Sequence, residues 1–213
     1  MGELLSILGK EDFYFAMLRT ATPVLLTTLG AMTASRAGVS NIALEGTMLF
    51  AAFFGVIVSA FSQSALLGFL AAVGIGLLIS LLLSYFIVEL HSNGILSGIA
   101  LNTLASGGTI FLLFLITGEK GASTSLHSLK LPALNIPLIE NIPFVGKILS
   151  GQHILTYLSL LLVFAIATLF KKSRLGMEII AVGENPEAAE SLGISVKRVK
   201  RTALLISGAL TGM

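Results

Sequence analysis

Long uncharged apolar runs constrain this chain more than any other feature of its sequence. The two clearest are 65–88 and 94–117, and neither contains a charged side chain. A helix needs about 20 mostly apolar residues to cross the hydrocarbon core of a bilayer, so both runs predict membrane-spanning helices. The whole chain is 55% hydrophobic and 11% charged, whereas soluble domains carry about 25% charged residues. This balance excludes a soluble enzyme, a nucleic-acid-binding domain and a disordered segment.

Five stretches have the length and composition of a membrane span, and a sixth apolar stretch begins at Thr202. The five stretches are 14–34, 46–61, 65–88, 94–117 and 153–170. The sixth reaches Met213 before it is long enough to cross a bilayer, so we expect a C-terminally truncated sequence. The fold class predicted is all-α: a polytopic transmembrane helical bundle with about five complete spans and a truncated sixth.

The distribution of basic residues predicts the orientation of these spans. Segment 171–201 carries seven Lys and Arg residues, whereas the similarly long segment 118–152 carries three. Cytoplasmic loops are enriched in Lys and Arg. We therefore predict that 171–201 is cytoplasmic, that 118–152 is an external loop and that the N-terminus lies outside. Three prolines in the external loop predict an extended or looped structure there.

Polar side chains inside the predicted spans have two interpretations. Asn102, Ser106 and Thr109 are spaced to lie on one face of the fourth span, and the first span has a similar stripe. Small polar residues often hold membrane helices together by hydrogen bonds. The same residues could instead form a polar wall along a solute pathway, so both interpretations remain open.

The segment between the first two spans, 36–46, contains Asn41 and Glu45 at the membrane boundary. It could be a cytoplasmic turn in which Glu45 begins the second helix, where a negative charge suits the helix dipole. It could also be a re-entrant or broken segment lying against a pathway. The spacing favours the turn. Asn41 and Glu45 nevertheless join the pathway candidates Asn102, Ser106 and Thr109.

The sequence carries no pattern typical of catalysis or metal binding. It has no cysteine, and His91, His127 and His153 are scattered in loops or at span ends. No Gly-rich phosphate-binding motif with its Lys occurs, so we expect this chain not to bind ATP. No acidic residue lies at the centre of a span, which argues against an ion-coupled carrier. We expect no enzymatic activity, no cofactor, no metal site and no nucleic-acid partner.

The predicted cytoplasmic loop contains the signals of a short helix at 186–192. Asn185 is a good N-cap, and Pro186 suits the first helical turn because its missing N–H costs nothing there. Gly193 can end the helix in a left-handed conformation. A helix this short is marginal in water. From the residues alone it could be ordered by contact with a partner, or it could be a solvated loop helix beside the lipid headgroups. Residues 197–201 then form a basic stop before the next span.

The same loop carries a family resemblance. Glu187, Ala188, Ala189 and Gly193 resemble the EAA-type loop of ABC importer permeases, which docks into an ATP-hydrolysing subunit. The longer string Ala-Val-Gly-Glu-Asn-Pro-Glu-Ala-Ala at 181–189 resembles permeases of the branched-chain amino acid and simple-sugar type. So do Gly-Val-Ser-Asn-Ile-Ala-Leu-Glu-Gly at 38–46 and Ser-Gly-Ala-Leu at 207–210. The sequence is most similar to the nucleoside-importing subgroup that pairs with basic-membrane-protein lipoproteins.

The resemblance implies a function and a set of partners. Residues 1–213 would form one integral membrane permease domain, the N-terminal part of a longer family domain, in the plasma membrane. Loop 171–201 would couple it to the ATPase through Asn185, Pro186, Glu187, Ala188, Ala189 and Gly193. The partners implied are two ABC ATPase subunits, a second permease subunit (identical or different) and an extracytoplasmic substrate-binding lipoprotein.

Under the same resemblance, ATP would be hydrolysed by the partner subunit, and transport would proceed by alternating access. The solute implied is a nucleoside, with simple sugars or branched-chain amino acids as alternatives. An ion-coupled secondary transporter and a non-transporting membrane interaction protein are the two rival functions.

Overall fold

The computed structural model describes residues 11–118, 128–129, 131–134 and 150–213 and is a helical bundle. Its helices are α1 Glu11–Arg36, α2 Leu44–Ser62, α3 Ala65–Ser84, α4 Gly94–Thr117, α5 Ile154–Lys172, α6 Arg174–Glu184, α7 Pro186–Ser191 and α8 Val196–Thr211. A π-helical turn, Tyr85–Glu89, continues α3. Strands β1 Ala133–Leu134 and β2 Gln152–His153 pair antiparallel, with Ala133 opposite His153.

The predicted all-α membrane bundle is confirmed. Among the described residues, five helices are long and apolar enough to cross a membrane. They are Phe13–Arg36, Leu44–Ser62, Ala65–Glu89, Gly94–Thr117 and Ile154–Lys172. Most of the predicted external loop 118–152 lies outside the described residues, including Pro137, Pro143 and His127.

Local capping explains where several spans begin and end. The Asn93 side chain accepts a hydrogen bond from the backbone N–H of Ile95 at 2.9 Å and starts α4. Gly118, with φ of 72°, ends the same helix in the left-handed conformation that glycine adopts readily. Ser64 caps α3 by accepting from the Leu67 N–H. These caps satisfy backbone groups that have no partner inside their own helix.

Loop 171–201 contains one helix that was not predicted, and the last helix begins earlier than expected. Within the loop, 174–184 forms α6, an eleven-residue helix that the sequence analysis did not predict. The basic residues 197–201 lie inside the first turns of α8, which begins at Val196 rather than at Thr202. They fit there because long basic side chains can reach the headgroup region from a helix end.

The segments at each end of the bundle are those that the predicted orientation places on the same side of the membrane. At one end, the turn after α1 meets the end of α6, where Gly38 contacts Gly183, and Glu89 pairs with Arg201. At the other end, the Gln152 side chain donates to the Phe15 carbonyl. Segments predicted to share one side of the membrane therefore lie together, and the excess of Lys and Arg predicts that the first end is cytoplasmic.

Helix α8 lies at the centre of the bundle and approaches α1 and α3 closely. Its Ser207, Gly208 and Thr211 are buried. A Cβ on Gly30 of α1 would lie 2.8 Å from the Ser207 carbonyl oxygen, and one on Gly208 would collide with Ser80 of α3. Small residues thus allow backbone-to-backbone packing, which is the usual way that membrane helices associate.

We expect Gly208→Leu to destabilise the bundle because its side chain has no space between α8 and α3. Overpacking of this kind costs about 1–3 kcal/mol. Thermal unfolding of the full-length permease in detergent, followed by size-exclusion chromatography, measures the loss. Gly107→Leu is the matched control, since no described atom lies within 4 Å of the position of its Cβ. Equal melting temperatures of the two variants would contradict the packing assignment.

Candidate coupling and transport site

Helix α7 forms as its sequence predicts and ends one residue earlier. The Asn185 Oδ1 accepts a hydrogen bond from the Ala188 N–H at 3.0 Å, and Pro186 occupies the first turn. Gly193 has φ of 81°. Its N–H donates to the Glu190 carbonyl at 2.9 Å, and the Ile194 N–H donates to the Ala189 carbonyl at 3.1 Å. Left-handed glycine here satisfies the last carbonyls of the helix.

One face of α7 is buried against the bundle, and the opposite face is exposed. Ala189 is 3% exposed and belongs to a cluster with Ala37, Ile179, Val182, Val199 and Ala203. That cluster draws on the end of α1 and on α6 and α8. Glu187, Ala188 and Glu190 are exposed, and Leu192, directly after the helix, is 81% exposed. A six-residue helix is thus held by its buried face and presents two carboxylates and a leucine outward.

Helix α6 fixes the position of α7. Ser173 caps it by accepting from the Gly176 N–H at 3.0 Å. At its other end, Gly183 lies against the Arg36 carbonyl and Gly38, a contact that leaves no room for a Cβ. The signal in the sequence was the N-cap Ser173 followed by Gly176, Ile179 and Val182, which lie at helical spacing on one buried face.

Segment 39–43 runs back into the bundle as non-helical backbone. The Asn41 side chain donates to the Ser207 hydroxyl oxygen at 3.0 Å and accepts from the Ala43 N–H at 3.1 Å. The Asn102 Oδ1 accepts from the Gly46 N–H at 2.7 Å, and its Nδ2 donates to the Ile42 carbonyl at 2.9 Å. Two asparagines therefore supply the partners that a helix would otherwise supply.

The depth of this segment follows from its contacts along α4. Gly94, the first residue of α4, lies near the Ser40 carbonyl, and Gly98 lies near Ile42. Asn102, bonded to Gly46, is eight residues further along than Gly94, or about 12 Å at a rise of about 1.5 Å per residue. The favoured interpretation, a cytoplasmic turn, therefore holds only for Ala37 and Gly38, and 39–43 matches the alternative of a re-entrant or broken segment. The predicted position of Glu45, in the first turn of α2, is correct.

The five pathway candidates do not share one environment. Asn41 and Asn102 are half-buried in the hydrogen bonds just described, and Thr109 is 9% exposed with its hydroxyl donating to the Ala105 carbonyl. Glu45 and Ser106 are exposed. A contact with solute therefore remains a prediction for all five, and Glu45 and Ser106 have the accessible side chains.

Glu89 forms an ion-pair cluster that the sequence analysis missed. It accepts from Arg201 at 2.7 Å and lies 3.4 Å from the Lys197 ammonium. Its partners follow it by more than a hundred residues, so no local pattern could indicate them. Among the described residues, no group of three metal-ligating side chains could hold a metal ion.

The chain is similar to several ABC transporter permeases. The chain is 35% identical over 205 residues to a guanosine ABC transporter permease of Bacillus subtilis, covering 93% of this chain and 64% of that protein. It is 33% identical over 206 residues to a nucleoside ABC transporter permease of Lactococcus lactis, covering 92% and 63%. It is also 33% identical over 201 residues to a putative glucose ABC transporter permease of Haloferax volcanii, covering 92% and 59%.

The chain thus spans about three fifths of the length of these relatives. No solved structure matches it. The family model described as branched-chain amino acid transport system / permease component matches residues 13–213. With the five apolar spans, this match identifies a multi-pass protein of the plasma membrane, and the chain belongs to this family of permease components.

Proposed function

We propose that this chain is the N-terminal part of a permease subunit that imports nucleosides at the expense of ATP hydrolysed by a partner. The observation that carries the proposal is α7, whose Ala189 face is seated on α1, α6 and α8 while Glu187, Glu190 and Leu192 face outward. A short cytoplasmic helix of this kind is suited to receive force from a docked subunit and to pass it to the spans behind it.

The partners of the full-length protein follow from this role. Of two ABC ATPase subunits, one would dock on α7 of this chain and the other on the second permease chain. The predicted coupling residues Asn185, Pro186, Glu187, Ala188 and Gly193 are exposed and would contact the ATPase, whereas Ala189 is buried and would pass the movement to the bundle. A second permease chain, identical or different, would complete the pathway. An extracytoplasmic lipoprotein would deliver the solute. The chain itself would catalyse no reaction and hold no cofactor.

The solute would pass close to segment 39–43 and the face of α4 beside it. Glu45 is an exposed carboxylate about two turns inside the bundle as measured along α4. A carboxylate there can accept hydrogen bonds from the hydroxyl and N–H groups of a nucleoside. Ser106 adds an exposed hydroxyl on α4.

Two of the relatives named above are a guanosine and a nucleoside permease, which supports nucleoside as the solute. A simple sugar is the second candidate because another relative bears the name of a putative glucose permease. Both solute classes present several hydroxyl groups, so the polar side chains described here suit either one.

Uptake of radiolabelled guanosine by cells that express the full-length permease with its ATPase and lipoprotein tests the proposal. We expect unlabelled nucleosides to compete, and glucose and leucine not to compete. ATP-dependent uptake of labelled glucose by the same cells, without uptake of guanosine, would identify a sugar importer. Uptake that persists without the ATPase and follows an ion gradient would contradict the ABC mechanism, and no flux at all would indicate an interaction protein.

We expect Leu192→Asp to weaken ATPase binding roughly tenfold or more. An apolar side chain buried on docking contributes about 1.5–3 kcal/mol, and about 1.4 kcal/mol corresponds to tenfold in affinity. Co-purification of the ATPase with the tagged permease measures binding, and guanosine uptake should fall in parallel. Glu187→Lys should act in the same direction.

Met177→Asp is the matched control for the docking surface. Met177 is a 58% exposed apolar side chain in the same cytoplasmic segment but on α6 rather than on α7. The Met177→Asp variant should retain both ATPase binding and guanosine uptake. If Leu192→Asp and Glu187→Lys both behave like this control, α7 is not the docking element.

We expect Glu45→Gln to lower guanosine uptake about tenfold while ATPase co-purification stays unchanged. Hydrogen bonds to a charged group contribute about 1.5–3 kcal/mol, and the neutral amide accepts them more weakly. Glu184→Gln, which changes an exposed carboxylate at the end of α6, is the control and should leave uptake intact. Normal uptake by Glu45→Gln would remove Glu45 from the pathway.

A further inference from the structure

A groove runs along the outside of the bundle between α3 and the start of α8. It is lined by Leu78, Leu81, Leu82, Tyr85 and Arg201 and has a volume of about 440 Å³. The three leucines and Tyr85 are between 38% and 60% exposed. The four apolar or aromatic side chains follow one face of α3 for about 10 Å, since a helix rises about 1.5 Å per residue. The groove is therefore mostly apolar, and Arg201, at one end, is the only charged residue among those that line it.

The Arg201 guanidinium at that end has further N–H groups that could bind an anion. Arg201 bonds to Glu89 with one nitrogen of its guanidinium, and its side chain is 47% exposed. Lys197 lies 3.4 Å from the same carboxylate, and its side chain is 61% exposed. Within the described part of the chain, two cations thus share one carboxylate and leave a net positive charge. Arg198 and Lys200 add two more basic residues in the same turn of α8.

The position of this charge matches the headgroup level of the cytoplasmic leaflet. Tyr85–Glu89 is the last turn of the span that begins with α3, so Arg201 lies where hydrocarbon gives way to water. The leucines lead from that level toward the bilayer centre. Basic pockets between membrane helices on the cytoplasmic side are sites for anionic lipid headgroups. An apolar helix packed in the groove would leave the exposed cations without a counterion.

We propose that this groove binds an anionic phospholipid, with its phosphate on Arg201 and one acyl chain along Leu78, Leu81 and Leu82. Lys197 supplies the second positive charge, and Glu89 orients Arg201 and limits the affinity because it competes for the same guanidinium. The inference depends on membrane residence alone and not on which solute is carried.

Native mass spectrometry of the full-length permease in detergent tests this site. Phosphatidylglycerol and phosphatidylcholine with identical acyl chains are titrated separately. The unchanged protein should retain phosphatidylglycerol in preference. Arg201→Gln should weaken that binding about fivefold, the typical contribution of one basic residue near an anionic surface. Arg201→Lys, which keeps the charge, should retain most of the preference.

Glu89→Gln separates lipid binding from a purely structural ion pair. This substitution removes the carboxylate that pairs with Arg201 and Lys197, so phosphatidylglycerol should bind more tightly. If the ion pair only stabilises the fold, Glu89→Gln should instead lose phosphatidylglycerol binding as Arg201→Gln does. Lys171→Gln, an exposed lysine at the end of α5, is the matched control and should bind as the unchanged protein does.

Three results would overturn the proposal. The first is equal retention of both lipids, which is expected if another polypeptide segment fills the groove. The second is loss of binding in both Glu89→Gln and Arg201→Gln. The third is displacement of the lipid by equimolar glycerol 3-phosphate, which would show a site for free phosphate rather than for a lipid. None of these results bears on nucleoside uptake, so they are distinguishable from a failure of the transport function.

Discussion

Inside a bilayer no water is available to pair with backbone N–H and C=O groups, and this constraint shapes the most unusual part of the bundle. Residues 39–43 enter the bundle without helical hydrogen bonds of their own. They are tolerated because Asn41 and Asn102 provide side-chain partners and because the segment packs against α4 and α8. The same arrangement starts α2 well inside the bundle and thereby places Glu45 there.

Helix α8 connects this segment to the cytoplasmic surface. Val199 and Ala203 in its first turns contact the cluster that holds α7. One turn further on, Ser207 accepts a hydrogen bond from Asn41. Because small residues let α8 lie directly against α1 and α3, few flexible side chains intervene along this line. A displacement of α7 would therefore reach segment 39–43 through one continuous helix.

Structural features that depend on neighbouring residues could be predicted from the sequence, whereas those that depend on distant residues could not. The bounds of α4 were predicted to the residue from its uncharged apolar run, and the cap Asn93 and the terminal Gly118 that fix these bounds in the structure are also local. The start of α7 was predicted for the same reason, from Asn185 and Pro186. Helix α6 was not predicted, although its capping serine and buried face are also local, because its eleven residues are too few to span a membrane.

The sequence by itself determined that the chain spans a membrane, how many long apolar helices it has and how α7 is capped. These properties depend on composition and on contacts between residues a few positions apart. Only the tertiary structure decided that 39–43 re-enters the bundle and that Asn102 bonds backbone on another helix. The tertiary structure also decided that Glu89 pairs with Lys197 and Arg201. Such pairs lie tens to more than a hundred residues apart, and helix packing rather than local preference brings them together.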